Sequence, residues 1–159
     1  MGFVWLDFVR RLKEYPNGVH LLLNACPEKR ILDAEREFGR LPRFLREILG
    51  TCNGGELFIN AIPLVTLFGI SPLLTNPEIH WHSDWYIDTY TRSWRSEFPS
   101  SECWVFAMTN YGGLLLLSNK EEISEWDTNT SRWNGCDLSI EDWLLKVIAE
   151  GDTYMADEK

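Results

Sequence analysis

The segment from residue 33 to residue 60 carries three backbone signals that restrict how the chain can fold. Gly39 lies where a helix is expected to end in the left-handed conformation that glycine adopts most readily. Pro42 lies where a second helix can begin, because the first turn of a helix does not use the missing N–H. The Asn-Gly-Gly sequence at 53–55 tolerates positive φ and predicts a tight turn before the apolar residues 57–59. The segment therefore predicts two helices joined by a hinge, then a turn into a strand.

Hydrophobic periodicity extends this pattern along the rest of the chain. Helical spacing predicts an N-terminal helix over 2–14, a helix within 84–97, and a final helix that Ser139 caps and Gly151 ends. The predicted strands are 56–60, 65–70, 104–108, 114–118 and 123–127. Pro63 is expected to separate the first two strands, and the last strand is expected to complete a meander. Helices and strands that do not alternate regularly predict an α+β fold, with an antiparallel, mostly meander sheet covered by helices in a single domain.

The length of 159 residues is that of one domain. We expect residues 1–27 to form an N-terminal helix and a connection that pack on the domain. Residues 28–151 are expected to form the domain itself, and residues 152–159 an acidic tail. No apolar run approaches the roughly 18 residues of a membrane-spanning helix, so we predict no membrane insertion.

The chain is acidic, and the acidity is concentrated toward its C-terminal end. The net charge of −9 divides into +2 over residues 1–50 (9 basic, 7 acidic), −4 over 51–118 (2 and 6) and −7 over 119–159 (4 and 11). This negative charge disfavours binding to nucleic acid and anionic membranes and favours a basic protein partner. Negative charge also serves simply to keep a protein in solution. Four widely spaced cysteines without a secretory signal predict reduced thiols and a cytoplasmic location.

Catalytic and metal-binding patterns are weak in this sequence. His80, His82 and Asp84 would share one face of a strand, and two imidazoles with a carboxylate suit zinc in a small metal-dependent hydrolase. His20 is the only other histidine, so a hydrolase ligand set cannot be completed, and solvated or capping side chains are favoured. The cysteines and the adjacent carboxylates form no catalytic arrangement either. We therefore predict no catalytic residue, no metal and no cofactor.

Aromatic and acidic side chains are mixed in the second half of the chain. Tryptophan and tyrosine often anchor protein interfaces, and carboxylates among them select a basic partner. The residues predicted to bind a partner are Asp84, Trp85, Tyr86, Asp88, Glu125, Trp126, Asp127 and Trp133. Ile87, Tyr90 and Trp94 have helical spacing, and for these we favour a core position over an interface position.

Several residues occur in the order and spacing of a known family. The motif residues are Glu35, Gly39, Leu41, Pro42, Asn53, Gly54, Gly55, Gly112 and Gly113. With the aromatic hairpin at 104–115 and the final helix from Ser139, they make residues 28–150 resemble the SUKH superfamily. That superfamily includes the fungal Smi/Knr cell-wall regulators and many bacterial immunity proteins.

The resemblance implies an α+β binding protein without a catalytic site, in which the motif residues have architectural roles. Many bacterial members are cytoplasmic immunity proteins that neutralise a cognate polymorphic toxin, often a nuclease. Together with the charge, this implies an immunity protein that binds a basic toxin through the acidic, aromatic second half of the chain. The alternative is a non-enzymatic regulatory scaffold of a signalling or cell-wall pathway.

Overall fold

The computed structural model describes residues 4–71 and 86–156, and within them the chain forms five helices and seven strands. The helices are α1 (Trp5–Leu12), α2 (Glu28–Phe38), α3 (Arg43–Thr51), α4 (Ile87–Glu97) and α5 (Ile140–Ala156). The strands are β1 (Leu21–Leu22), β2 (Gly55–Asn60), β3 (Ile62–Leu67), β4 (Trp104–Thr109), β5 (Gly113–Leu117), β6 (Glu122–Asp127) and β7 (Arg132–Ser139). Because helices and strands do not alternate regularly along the chain, the predicted α+β class is confirmed.

The strands form one antiparallel sheet in which their spatial order, β1 to β7, is also their order in the chain. The predicted hairpin of β4 and β5 is present, with Trp104 opposite Leu117 and Met108 opposite Leu114. Helix α5 packs mainly against β2, and α4 packs against β4. The prediction of an antiparallel meander covered by helices is therefore confirmed.

Aromatic rings fill the space between α1, α3, α5 and the sheet. Trp5 and Phe8 of α1 are fully buried, and Trp5 meets Phe44 of α3 edge to face, with 6.2 Å between ring centroids. Phe44 in turn meets Phe106 of β4 and Trp143 of α5, at 6.2 Å and 6.5 Å. Inclined rings at these separations are the geometry that aromatic pairs favour. Helix α1 thus shares one core with the elements that follow it.

The hinge between α2 and α3 depends on a carboxylate as well as on glycine and proline. Gly39 has φ 99° and ψ −179°, an extended conformation with positive φ that is almost confined to glycine, whereas the sequence predicted a left-handed cap. Glu35 accepts a hydrogen bond from the Leu41 N–H at 2.9 Å and another from the Arg46 guanidinium at 2.7 Å. The bond to Arg46 lowers the pKa of Glu35. Pro42 directly precedes α3, as predicted.

The turn at 53–55 works differently from the prediction, because only Gly54 has positive φ, at 92°. Asn53 acts through its side chain: Oδ1 accepts from the Ile70 N–H at 2.7 Å, and Nδ2 donates to the Ile70 carbonyl at 3.1 Å. Gly55 begins β2 beside β1, where a Cβ would overlap the carbonyl oxygen of Leu21. The motif therefore ties together β1, β2 and the chain just after β3.

Three predicted boundaries are wrong. Pro63 lies inside β3, and the chain reverses between β2 and β3 at Ala61, which has φ 65°. The sheet does not end at β6, because β7 pairs with it across a short turn. Helix α5 does not end at Gly151 but continues through it.

Residues 152–156 accordingly belong to α5 rather than to an acidic tail. The hydroxyl of Tyr154 lies 3.1 Å from the Asn60 carbonyl oxygen and 2.9 Å from that of Ile62. Asn60 returns a bond from Nδ2 to the Tyr154 carbonyl at 3.1 Å. The last turns of α5 thus close over the turn between β2 and β3.

The four cysteines, all within the described residues, form no disulfide. Among the helices of residues 4–71 and 86–156, none combines the length and the apolar character that crossing a membrane requires.

Candidate functional site

A cluster of tryptophan side chains lies between α4 and the β6–β7 hairpin. Trp126 and Trp133 are directly opposite each other in the hairpin, with ring centroids 5.0 Å apart. Trp94 of α4 meets Trp126 at 5.5 Å and Trp133 at 5.9 Å. All three ring pairs are steeply inclined, as aromatic pairs favour. Helix and hairpin are therefore joined here by aromatic contacts.

One member of the cluster is fixed and another is open to solvent. Trp94 is only 7% exposed, its indole N–H donates to Ser101 Oγ at 3.0 Å, and its ring packs on Phe98 at 4.4 Å. Trp133 is 45% exposed although it touches both other indoles. A rigid aromatic base that carries an exposed aromatic side chain is the composition typical of interface hot spots.

Beside the cluster, a cavity of about 290 Å³ opens between α4 and the strands. It is lined by Tyr90, Ser93, Trp94, Glu97, Leu114, Trp126, Thr128 and Ser131. We call this cavity the aromatic groove. Its α4 residues are spaced i, i+3, i+4 and i+7, so one face of the helix supplies one wall and the sheet supplies the other.

The charge at the aromatic groove is negative. Glu97 is exposed, and its carboxylate has no hydrogen bond or ion pair with any described residue. Asp127 and Arg132 form the next pair of the hairpin, so their side chains point to the opposite face from the tryptophans. Asp127 accepts a hydrogen bond from the Asn129 N–H at 2.8 Å. Glu97 is therefore the acidic group available to a ligand in the groove.

The residues predicted to bind a partner are distributed over several places. Trp126 and Trp133 belong to the tryptophan cluster, while Tyr86 and Asp88 lie at the beginning of α4. Asp88 accepts hydrogen bonds from the backbone N–H and the hydroxyl of Ser71, which fixes the chain that leaves β3. Asp88 thus has a structural role in addition to any contact with a partner.

Glu125 is only 6% exposed and lies below the surface. It accepts hydrogen bonds from the Tyr111 hydroxyl at 3.3 Å and from Asn134 Nδ2 at 3.1 Å. Burial and the neighbouring Glu125 charge raise the pKa of Tyr111. Glu125 can therefore position the β6–β7 hairpin, whereas Asp84 and Trp85 lie outside the described residues.

The weak metal candidate, His80 with His82 and Asp84, also lies outside the described residues. In the part of the chain that the structure describes, no three histidine, cysteine or acidic side chains come together as a metal site would require.

The sequence did not single out the polar residues of the aromatic groove. Ser93 and Glu97 enter it only because they share a helix face with Trp94. Trp126 and Trp133 are seven residues apart around a polar turn, so predicting β7 would have placed them opposite each other. The tryptophan cluster was therefore not predicted because β7, the second strand of the hairpin, was not predicted.

A second recess, of about 380 Å³, lies where α1 leads into β1. In its wall, His20 Nδ1 accepts the Phe58 N–H at 3.0 Å, so the proton of the neutral ring is on Nε2. That Nε2 is buried and has no hydrogen-bond partner among the described residues. Phe58 has φ 52°, and its ring meets the imidazole at 4.6 Å. Burial among these groups lowers the pKa of His20 to about 4.

We expect His20 to make the protein less stable as the pH falls from 7 to 5. The unfolded chain takes up a proton near its ordinary pKa of about 6.5 while the folded chain resists it, so this contribution is complete above pH 6.5 and lost toward pH 4. After allowance for partial exposure, the loss by pH 5 is about 1 kcal/mol. Urea unfolding at both pH values measures it.

The matched variant is His20→Asn, whose side-chain oxygen can still accept the Phe58 N–H but does not titrate. It should lose about 1 kcal/mol less than the wild type over the same interval. An unchanged pH dependence in this variant would show that groups other than His20 are responsible.

Residues 25–146 match the model of the SMI1 / KNR4 family (SUKH-1). The match spans the hinge, the turn at 53–55, all of the sheet from β2 to β7 and the aromatic groove. No curated protein matches the chain.

Proposed function

The chain belongs to the SMI1/KNR4 family (SUKH-1), and from this membership we propose that it is an immunity protein that neutralises a cognate toxin by protein–protein contact. It acts without catalysis in the cytoplasm of the cell that makes the toxin. The toxin is a basic protein, because the chain carries a net charge of −9.

The observation that supports this proposal most directly is the tryptophan cluster beside the aromatic groove. Trp133 presents 45% of its surface to solvent on a base fixed by Trp94 and Trp126. Exposed tryptophan on a rigid support gives a large contact area at little cost in side-chain entropy. Glu97, which pairs with no residue in the described part of the chain, adds a negative charge at the same place, and this favours a basic partner over others.

Co-expression tests the function itself. A bacterial strain that produces the toxin encoded by the adjacent gene should survive when this chain is produced with it, and purified toxin and chain should form a complex. A toxin that neither binds nor is inhibited would contradict the immunity function and leave the regulatory scaffold as the remaining interpretation.

Trp133→Ala tests whether this surface carries the contact. We expect the Kd for the toxin to rise about 30-fold, the equivalent of the roughly 2 kcal/mol lost at an interface hot spot. Surface plasmon resonance measures the change. The matched control is Leu145→Ala on α5, which removes another apolar side chain that is 45% exposed and should leave the Kd within about twofold.

A charge-reversal variant tests whether negative charge at this surface contributes to toxin binding. Glu97→Lys should weaken toxin binding more at low salt than at high salt, whereas Glu14→Lys, on the exposed connection after α1, should have a smaller effect. Equal effects of the two variants would show that only the net charge matters. Toxin binding that Trp133→Ala leaves unchanged would place the contact on another face.

A further inference from the structure

The aromatic groove has the dimensions of a site for one side chain. Its volume of about 290 Å³ lies at the lower limit of the roughly 300–1,000 Å³ typical of small-molecule sites. The described residues that line it combine indole and phenol rings with the hydroxyl-bearing residues Ser93, Thr128 and Ser131 and the carboxylate of Glu97. We propose that the aromatic groove binds an arginine side chain of the partner protein, an inference that rests on the proposed function.

The rings favour a cation over an apolar side chain. Trp94 and Trp126 meet at 5.5 Å and both line the groove, as does Tyr90, whose ring is stacked on Phe68 at 4.7 Å. The face of an aromatic ring is electron-rich and attracts a cation that comes within about 6 Å of its centre. A guanidinium can lie flat against such a face, whereas an ammonium keeps more of its hydration shell.

The end of α4 adds negative potential at the same point. Glu97 is the last residue of α4, and the carbonyl end of a helix carries partial negative charge. Its carboxylate is unpaired among the described residues, so it can accept two parallel N–H bonds from one guanidinium. The hydroxyls of Ser93 and Ser131, which also line the groove, can accept the remaining N–H groups.

The protein's own neighbouring arginines are engaged elsewhere. Arg92 forms a two-bond ion pair with Glu37, at 2.7 Å and 2.8 Å. Arg95 donates to backbone carbonyls, including that of Phe38 at 2.7 Å. Arg132 points to the opposite face of the hairpin from the tryptophans. None of these three arginines occupies the groove, so an arginine of a partner protein can bind there.

The test uses the full chain and three short peptides with the central residue arginine, citrulline or lysine between glycines. Citrulline keeps the shape of arginine and removes its charge. We expect weak binding of the arginine peptide, with a Kd of about 1 mM, and perturbation of the indole N–H signals of Trp94 and Trp126, which line the groove, in NMR titrations. The citrulline peptide should bind at least about tenfold more weakly, and the lysine peptide several-fold more weakly.

Glu97→Gln should raise the Kd of the arginine peptide about fivefold, because it replaces a charged acceptor by a neutral one of the same shape. Glu14→Gln on the exposed connection after α1 should not change it. Equal affinities for the arginine and citrulline peptides, or perturbations confined to indoles outside the cluster, would overturn the inference.

The outcomes separate this inference from the function on which it rests. Toxin neutralisation by a chain that does not bind the arginine peptide would overturn the inference alone. Arginine binding in the groove by a chain that does not bind the toxin would support the chemistry of the groove and overturn the immunity function.

Discussion

Gly151→Ala is expected to lower the free energy of unfolding by about 2 kcal/mol, although alanine is the better helix former. A Cβ at this position would lie 2.5 Å from three ring atoms of Phe58, which is fully buried. The ring cannot move aside easily, because Tyr15 and His20 pack edge to face against it at 5.1 Å and 4.6 Å. Overpacking of about 3 kcal/mol therefore exceeds the gain of about 1 kcal/mol in helix propensity.

Gly50→Ala is the matched control, because Gly50 also lies within a helix, α3, and a Cβ there meets no atom of the described residues within 4 Å. It should stabilise the protein by up to about 1 kcal/mol. Urea unfolding of the two variants then gives changes of opposite sign. A stabilising Gly151→Ala would show that α5 can move away from Phe58, and Phe58→Leu in the Gly151→Ala background should recover part of the loss.

The same glycine explains why the end of α5 was mispredicted. Glycine after a periodic apolar run is the commonest stop signal of a helix, so Gly151 was interpreted as an end. In the structure it permits close approach of α5 to β2 instead. Sequence periodicity cannot distinguish these roles, because the deciding contact joins residues 93 positions apart, Phe58 and Gly151.

The sequence correctly predicted the structural elements that neighbouring residues in the chain determine. The hinge at Gly39 and Pro42 and the hairpin of β4 and β5 follow from residues next to each other in the chain. Strand β7 was missed because most of its side chains are exposed, so it lacks the apolar alternation that marks a half-buried strand. An edge strand of this kind is fixed by pairing with its neighbour rather than by burial.

The candidate site was predictable in composition but not in arrangement. Trp126 and Trp133 were predicted to bind a partner because they are aromatic residues near acidic ones, and both lie in the tryptophan cluster. Trp94 was assigned to the core, and it is buried, yet it also lines the aromatic groove. A side chain can do both when it lies at the margin of a core. Glu97 carried no sequence signal, because only its place on the helix face directs it to the groove.

Gly69→Ala is expected to have the largest effect on stability, a loss of about 3–4 kcal/mol in the free energy of unfolding. A Cβ there would lie 2.5 Å from Asn53 Oδ1 and 2.7 Å from the Asn53 carbonyl carbon. The added methyl group therefore clashes with the backbone of Asn53. It also breaks the two hydrogen bonds between the Asn53 side chain and the backbone of Ile70. Overpacking costs about 1–3 kcal/mol, and lost hydrogen bonds to buried groups add about 1–3 kcal/mol.

The matched control is Gly135→Ala in β7, where a Cβ meets none of the atoms that the structure describes within 4 Å, and the change in the free energy of unfolding should stay within about 0.5 kcal/mol. The Gly69 carbonyl also accepts the N–H of Ile87, the first residue of α4, at 2.8 Å, so a displacement of Gly69 should reach the groove. We expect altered tryptophan fluorescence in Gly69→Ala as well as a lower urea midpoint. A loss below about 1 kcal/mol would mean that Asn53 moves freely, and that the Asn-Gly-Gly motif acts through its backbone conformation rather than through the pairing of Asn53 with Ile70.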